Sequence, residues 1–245
     1  MPRYKFIIEY NGSAYHGWQY QENLPTIQGE IESAIFKITQ ESIRLQVSGR
    51  TDAGVHALGQ VAHADINKLM DPFRLTYGLN HFLTNKGISI LSTETCDTTF
   101  HARFSTKART YLYKIINRRA PLTVDMKLAY HVPLPLDVTS MNEAAKYLIG
   151  HHDFTSFRAS ECQALSPKKT LEQAEFKQSN NLIEFHTRSK SFLHHQVRNM
   201  VGTLCLVGVG KWQPKDIQIA LLAKNRKAAG PTAPPDGLYL REIIY

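Results

Sequence analysis

An arginine and an aspartate stand two residues apart in the segment SGRTDAGVHALGQVAH, residues 48–63. If residues 50–52 continue a strand, Arg50 and Asp52 point to one side and Thr51 to the other, because side chains alternate along a strand. A guanidinium beside a carboxylate favours the ionised form and orients it. The glycines around the pair let the backbone turn and allow a ligand to approach closely. The segment therefore predicts an ionised Asp52 that acts as a nucleophile or a base in an open pocket.

The same residues also have a purely structural interpretation. An Asp-x-Gly stretch is most often a surface turn in which the aspartate bonds to its own backbone, and Arg50 would then be solvated. The chemistry of the segment alone does not decide between a turn and a reactive site.

Hydrophobic periodicity places this motif between two strands of the first half. Alternating β-forming residues predict strands, and apolar residues three and four apart predict helices. The predicted elements are, in order, a strand at 4–10, a helix capped by Thr26, strands at 43–47 and 60–66, a helix opened by Asp71 and Pro72, and a strand at 87–95.

The second half repeats much of this order. Its predicted elements are a strand at 108–117, a helix from a capping box at 140–143 to Gly150, strands at 169–177 and 182–187 joined by a turn at 180–181, a helix around 197–205, an added helix at 216–224 and a strand at 238–244. The repeat predicts an α+β fold of two ferredoxin-like (split βαβ) halves, residues 1–106 and 107–245, with the active-site cleft between them.

Composition restricts the partners of the chain. Lys and Arg outnumber Asp and Glu by 29 to 21 in 245 residues, and this charge of +8 favours a polyanion such as a nucleic acid, although a protein can also simply be basic. The three cysteines are widely spaced and lack a CxxC pair, which disfavours a disulfide framework and suits a reducing cytoplasm. No apolar run reaches the roughly 18 residues that a membrane-spanning helix needs, so no membrane partner is expected.

The histidines raise the question of a metal site. They form pairs at 151–152 and 194–195 and stand singly at positions that include 56, 63 and 101. No metal-ligand spacing of histidine with cysteine or glutamate accompanies them, so no metal is predicted. Packing or contact with RNA is the preferred interpretation.

Six segments in order along the chain resemble those of one family. Besides GRTDAGVHA they are YNGSAYHGWQYQ (10–21), FHARFSTKARTYLY (100–113), HHDFTSFR (151–158), FLHHQVRNMVGTL (192–204) and APPDGLYL (233–240). Together they resemble the TruA family of tRNA pseudouridine synthases over essentially the whole chain.

The resemblance implies a fold, a reaction and partners. The fold would be α+β, with two similar halves that share an extended antiparallel sheet. The reaction would isomerise uridine to pseudouridine at positions 38, 39 and 40, in the anticodon stem-loop of tRNA. An isomerisation with no net redox change that consumes no water needs no cofactor. The resemblance further implies a homodimer whose joined surface receives the tRNA.

It also assigns roles to residues. Asp52 would be the nucleophile, acting by direct attack on the ribose or through a glycal-like intermediate. Tyr111 would stack on the flipped base, although a strand-core aromatic is the alternative for Tyr111. Since a uracil stacked in a stem is unreachable, its nucleotide must turn out, and from this chemistry Arg50 is expected to occupy part of the gap that it leaves. Arg198 would pair with the catalytic aspartate, and Leu238 would help to wall the pocket.

Two other classes of function make different predictions about the sequence. An RNA-binding module without catalysis predicts an aromatic RNP1-type strand, and RTYLYKIIN lacks the glycines of that motif. A glycosidase-like hydrolase usually needs a second carboxylate as its acid, and no motif supplies one. The sequence therefore favours a tRNA pseudouridine synthase.

Overall fold

Residues 1–245 are described by a computed structural model, in which they form five α-helices and ten strands. The chain divides into two compact units. Unit 1 comprises residues 1–107 together with 239–245, and unit 2 comprises residues 108–238. The fold class is α+β, as predicted, and no helix is long and apolar enough to cross a membrane.

Unit 1 alternates strands and helices in the predicted order. Its elements are β1 (Arg3–Tyr10), α1 (Ile27–Thr39), β2 (Gln46–Val47), β3 (His56–Asp65), α2 (Pro72–Leu83), β4 (Ile88–Cys96) and, from the end of the chain, β10 (Leu238–Ile244). Its strands lie in the order β4-β1-β3-β10, and β2 also pairs with β3. Strand β10 runs parallel to β3, with Tyr239 opposite His56, whereas the other pairings in this unit are antiparallel.

Local sequence explains where the helices of unit 1 begin and end. The Thr26 side chain caps α1 by accepting from Gly29 N, and the left-handed Gln40 ends this helix. The Asp71 side chain accepts from Arg74 N and is followed by a proline at the start of α2. Both start signals were predicted. The apolar faces of these helices and alternate residues of β1 supply the core of the unit: Tyr4, Phe6, Ile8, Ile27, Ile31, Ile35, Leu75, Leu79 and Leu83.

Unit 2 is built around the helix that carries Arg198. Its elements are β5 (Ala108–Asn117), β6 (Tyr130–Val132), α3 (Val138–Lys146), β7 (Gly150–Asp153), β8 (Lys168–Ser179), β9 (Leu182–Ser189), α4 (Gln196–Gly208) and α5 (Pro214–Leu222). Its strands lie in the order β5-β9-β8-β7, and β6 pairs with β5 in parallel. Helix α4 is buried along most of its length, and α3 contacts both α4 and α5.

The structure corrects several predicted boundaries. Helix α3 begins at Val138 because the Asp137 carboxylate accepts from Ser140 N, so the expected capping box at 140–143 lies inside the helix. Helix α3 ends at Lys146 and not at Gly150, which begins β7 with a φ of +114°. The short strands β6 and β7 were not predicted.

Two larger features also differ from the predictions. Residues 239–245 were assigned to the second half, but they belong to unit 1 because β10 pairs with β3. The pairings are not purely antiparallel, since β3–β10 and β5–β6 are parallel. Strand β2 covers only Gln46–Val47, and β3 begins at His56, so the end of the GRTDAGVHA motif lies within a strand.

Candidate active site

Asp52 lies in the connection between β2 and β3, in unit 1. Residues 50–52 form no ladder hydrogen bonds, so they do not continue the strand, yet their side chains still alternate. Thr51 is buried, whereas Arg50 is exposed and Asp52 is half-buried. The next residues turn sharply, with Gly54 at a φ of +78° and Val55 N donating to Asp52 O at 3.2 Å. The carboxylate is therefore presented at the edge of a tight turn.

The segment at residues 11–18 packs closely against this loop. Trp18 N donates to Thr51 O at 3.0 Å, and Gly54 N donates to Tyr15 O at 3.3 Å. A Cβ on Gly12 would lie 2.0 Å from Val55 O, and one on Gly17 would lie 2.7 Å from Thr51 O. Only glycine allows this approach, which explains why the YNGSAYHGW segment accompanies the motif.

His56, the histidine of the motif, also connects the two segments. Its ring is buried, and its Nδ1 accepts from Gly12 N at 3.1 Å. The ring stacks on Tyr239 of β10, with centroids 4.6 Å apart. His56 therefore fixes the end of the Asp52 loop through its contacts with Gly12 and Tyr239. The sequence did not suggest this role.

The expected contact between Arg50 and Asp52 is not formed in this structure. None of the ion pairs includes Arg50. Arg50 is exposed, whereas Asp52 is half-buried. The two-residue spacing does not force the two groups together.

Tyr111 lies on β5 of unit 2, opposite Thr187 of β9. It is half-buried, and its ring packs edge-on against Phe192, with centroids 5.1 Å apart. Tyr113, two residues further along, is fully buried and donates its hydroxyl to Pro234 O at 2.7 Å. Burial raises the pKa of Tyr113 well above its usual value. Tyr113 is thus the core aromatic of this strand, and Tyr111 is the more accessible of the two.

Arg198 lies in the first turn of α4 and is tied to the loop that precedes β10. Its Nε donates to Ala233 O at 2.8 Å, and Ala233 N donates to Arg198 O at 3.1 Å. A Cβ on Gly202 would lie 1.9 Å from Pro231 O, so the loop rests directly on the helix. These contacts give the guanidinium of Arg198 a fixed position within unit 2.

A second arginine holds the same loop and was missed by sequence reasoning. Arg226 donates to Gly230 O at 2.8 Å and to the Oδ1 of buried Asn199 at 3.1 Å. Thr232 Oγ1 donates to the same Oδ1 at 2.6 Å. Arg226 belongs to a basic run at 224–227, and its guanidinium stabilises the loop. Its only signal was the neighbouring Gly-Pro-Thr segment, which needs side-chain partners to hold its shape.

Leu238 is buried at the point where the chain leaves unit 2. The preceding Gly237 packs so closely on β5 that a Cβ would lie 2.6 Å from both Lys114 O and the Tyr113 ring. Leu238 therefore lies in a closely packed region of the chain.

Several histidines take part in hydrogen bonds within their own units. His151 Nδ1 lies 2.9 Å from Thr170 Oγ1, and His152 Nε2 lies 2.8 Å from Ile149 O. His63 Nδ1 accepts from Ala102 N at 3.2 Å. Burial, with a smaller contribution from the Arg3 charge, lowers the pKa of His63 to about 4. These three side chains help to hold strands and loops together.

Asp52 thus lies on a loop that Gly12 and Gly17 allow residues 11–18 to approach closely. Comparison with known families matches residues 6–105 and 144–245 to tRNA pseudouridine synthase. Relatives named tRNA pseudouridine synthase A include those of Sinorhizobium medicae, 49% identical over 247 residues, and Nitrobacter hamburgensis, 51% identical over 245 residues. A third, from Rhodopseudomonas palustris, is 52% identical over 245 residues, and all three alignments cover 100% of both chains.

The chain therefore belongs to the tRNA pseudouridine synthase family. It is an isomerase that converts uridine in tRNA to pseudouridine.

Proposed function

We propose that this enzyme modifies positions 38, 39 and 40 of the tRNA anticodon stem-loop, with Asp52 as its nucleophile. The observation that carries this proposal is the placement of Asp52 in the GRTDAG motif. Its carboxylate is half-buried, and hydrogen bonds fix the main chain on both sides of it. A reactive group needs such a fixed position, whereas a surface turn does not.

The chemistry of the isomerisation accounts for this choice of residue. The bond between N1 of uracil and C1′ of ribose breaks, the base turns, and a bond between C5 and C1′ forms. C5 loses a proton and N1 gains one, so the atoms balance without an oxidant, a reductant or water. An ionised carboxylate can attack C1′ directly, or can remove a ribose proton on a glycal-like route. Both routes need Asp52 to be ionised and accurately placed, and neither needs a cofactor.

The substrate nucleotide must leave the RNA helix before it reacts. Bases of an A-form stem are stacked and cannot reach a carboxylate, so the nucleotide turns out into the protein. Arg50 is exposed and forms no ion pair, so its guanidinium can fill the gap in the stem. We assign it this role in the proposed reaction.

The resemblance to the family assigns three residues of unit 2 to the same reaction. Tyr111 stacks on the flipped uracil, a contact worth about 1–3 kcal/mol per base. Its half-buried ring, supported from the edge by Phe192, suits that role. Arg198 pairs with the catalytic carboxylate, and Ala233 fixes its Nε end for this purpose. Leu238 contributes apolar wall.

The larger arrangement is part of the proposal. The element order of unit 1, with strands in the order β4-β1-β3 and β2 on β3, supports the ferredoxin-like assignment. We also propose a homodimer, which light scattering at working concentration tests directly. The three cysteines are free, which suits a reducing cytoplasm.

Incubation with tRNA that lacks pseudouridine, followed by mapping of the modified positions, tests the proposed substrate. We expect pseudouridine at 38, 39 and 40, with no release of free uracil. Pseudouridine confined to another arm of the tRNA would contradict the proposed site. Release of free base would indicate a hydrolase, and tight binding with no modification would indicate an RNA-binding module.

A further inference from the structure

Polar side chains buried inside unit 1 connect β1, β3 and the residues just before Asp52. They are Tyr10 at the end of β1, Ser48 and Thr51 in the loop, and Gln60 in β3. Each is less than 8% exposed, so its polar atoms need hydrogen-bond partners within the protein. None of these four side chains takes part in the proposed isomerisation.

The orientation of the Gln60 amide in this network can be assigned. Val61 N can only donate, and it lies 3.1 Å from Gln60 Oε1, which also accepts from Ser48 Oγ at 2.7 Å. The Gln60 amide is thereby oriented so that Nε2 donates to Gly49 O at 2.8 Å and towards the Tyr10 hydroxyl oxygen at 3.4 Å. The Tyr10 hydroxyl in turn lies 2.7 Å from Thr51 Oγ1, and either oxygen can be the donor of this hydrogen bond.

Thr51 is therefore held at two points. Its hydroxyl forms a hydrogen bond with the Tyr10 hydroxyl, and its carbonyl oxygen accepts from Trp18 N at 3.0 Å. Thr51 directly precedes Asp52, and its side chain is buried in the protein whereas that of Asp52 is half-buried. A rotation of the Thr51 backbone would move the Asp52 carboxylate with it.

We propose that Thr51 is a positioning residue for Asp52, and that Tyr10 and Gln60 hold it in place. This inference rests on the proposed role of Asp52 as the nucleophile. A displacement of about 1 Å at a reacting group can cost about 10²-fold in rate. Because Thr51 is buried and faces away from the substrate side, its hydroxyl affects turnover and leaves tRNA binding unchanged.

The test compares the single-turnover rate and the tRNA affinity of three variants. Thr51→Val removes the hydroxyl at nearly constant shape, Thr51→Ser retains it, and Tyr10→Phe removes its partner. We expect Thr51→Val and Tyr10→Phe to lose about 10- to 100-fold in rate with the Kd for tRNA within about twofold of wild type. Thr51→Ser should recover most of the rate. The double variant Thr51→Val with Tyr10→Phe should be no slower than the slower of these two single variants, because both changes break the same hydrogen-bond network.

Thr39→Val is the matched control. Thr39 is also buried in unit 1, where its hydroxyl donates to Ile35 O at 2.9 Å in α1, away from the Asp52 loop. This variant loses a buried hydroxyl in the same way but should keep the wild-type rate. A Thr51→Val rate within twofold of wild type, a Thr51→Ser variant as slow as Thr51→Val, or an equal loss in Thr39→Val would each overturn the inference.

Asp52→Asn separates this inference from the function on which it rests. If Asp52→Asn is inactive and both Thr51→Val and Tyr10→Phe are fully active, the positioning role falls and the proposed nucleophile stands. If Asp52→Asn keeps its turnover, the proposed nucleophile falls, and the positioning role falls with it. Tyr10→Phe keeps the test decisive if Thr51→Val fails to fold.

Discussion

The two units hold their proposed site residues by different means. In unit 1, Asp52 lies on a loop, and the contacts that fix it are made by the main chain of its neighbours and by the buried Thr51. In unit 2, Arg198 lies on α4, whose backbone is already fixed, and the contact that matters is made by its own side chain with Ala233 O. A reactive loop residue therefore needs a built support around its backbone, whereas a helical residue needs only a restraint on its side chain.

Both supports depend on glycines that permit close backbone contact, and this is where they are easiest to break. Gly12→Ala and Gly202→Ala should each destabilise the protein by about 3 kcal/mol, because the added Cβ would lie 2.0 Å from Val55 O and 1.9 Å from Pro231 O. Urea unfolding at neutral pH measures the change in the free energy of unfolding.

Gly210→Ala is the control for the glycine variants. Gly210 has a φ of +73° but no atom within 4 Å of an added Cβ, so only backbone strain of about 1 kcal/mol is expected. If Gly12→Ala cost no more than Gly210→Ala, the loops of unit 1 would not be clasped as described.

These contacts also show what the sequence could and could not predict. Helix starts at Thr26 and Asp71 followed from local capping chemistry, because each cap is set by a few adjacent residues. The start of α3 did not, because Asp137 and Ser140 both present capping side chains three residues apart and only the folded chain selects one. Strands as short as β6 and β7 carry no period long enough to detect.

Prediction of the site followed the same division. The motif located Asp52 in the connection between two strands, as observed, but two-residue spacing did not bring Arg50 into contact with it. The supports of the loops were not predictable, since Gly12 meets Val55 and Arg226 meets Asn199 only through tertiary packing. Caps formed by sequence neighbours were therefore predicted, whereas the tertiary contacts of Gly12 and Arg226 were not.

The two units should respond to opposite extremes of pH. His63 in unit 1 is buried against Arg3, His101 and Asp65, and its pKa falls from 6.5 to about 4, mainly through burial. Folding thus favours the neutral imidazole of His63. The free energy of unfolding is therefore fully retained above pH 6.5 and decreases as the pH falls towards 4. Between pH 7.5 and 5 the loss should be about 2 kcal/mol, and His63→Gln should flatten that dependence in urea unfolding.

Cys205 in unit 2 has the opposite sign. Burial raises the pKa of its thiol from 9.0 to about 12. The folded unit favours the neutral thiol, so this stability is present below pH 9 and is lost as the pH rises towards 12. Cys205→Ala should weaken the alkaline loss and leave the acid loss unchanged. If the loss of stability at acid pH disappeared in Cys205→Ala, that loss could not be assigned to His63 of unit 1.

Lysine substitutions at Arg198 and Arg50 should have the smallest effects on stability. Arg198→Lys removes the bond from Nε to Ala233 O and should cost about 1 kcal/mol of stability. Arg50→Lys, at an exposed position, should change stability by less than about 0.5 kcal/mol. Arg50→Lys should nevertheless lose far more turnover than tRNA affinity. Lysine lacks the planar guanidinium that is proposed to fill the gap in the stem. Near-wild-type single-turnover rates in Arg50→Lys would remove the proposed flipping role.

The most direct test of the proposed function is the single-turnover rate of Asp52→Asn on tRNA that lacks pseudouridine. Asp71→Asn is its control, because it removes the same charge from unit 1 at an exposed N-cap that asparagine also satisfies. We expect Asp71→Asn to react at the wild-type rate. Asp52→Asn should fold and bind tRNA normally but retain less than about a tenth of the rate, a change of at least about 1.4 kcal/mol in activation free energy. A rate for Asp52→Asn above that limit, with normal tRNA binding, would show that Asp52 is not the nucleophile.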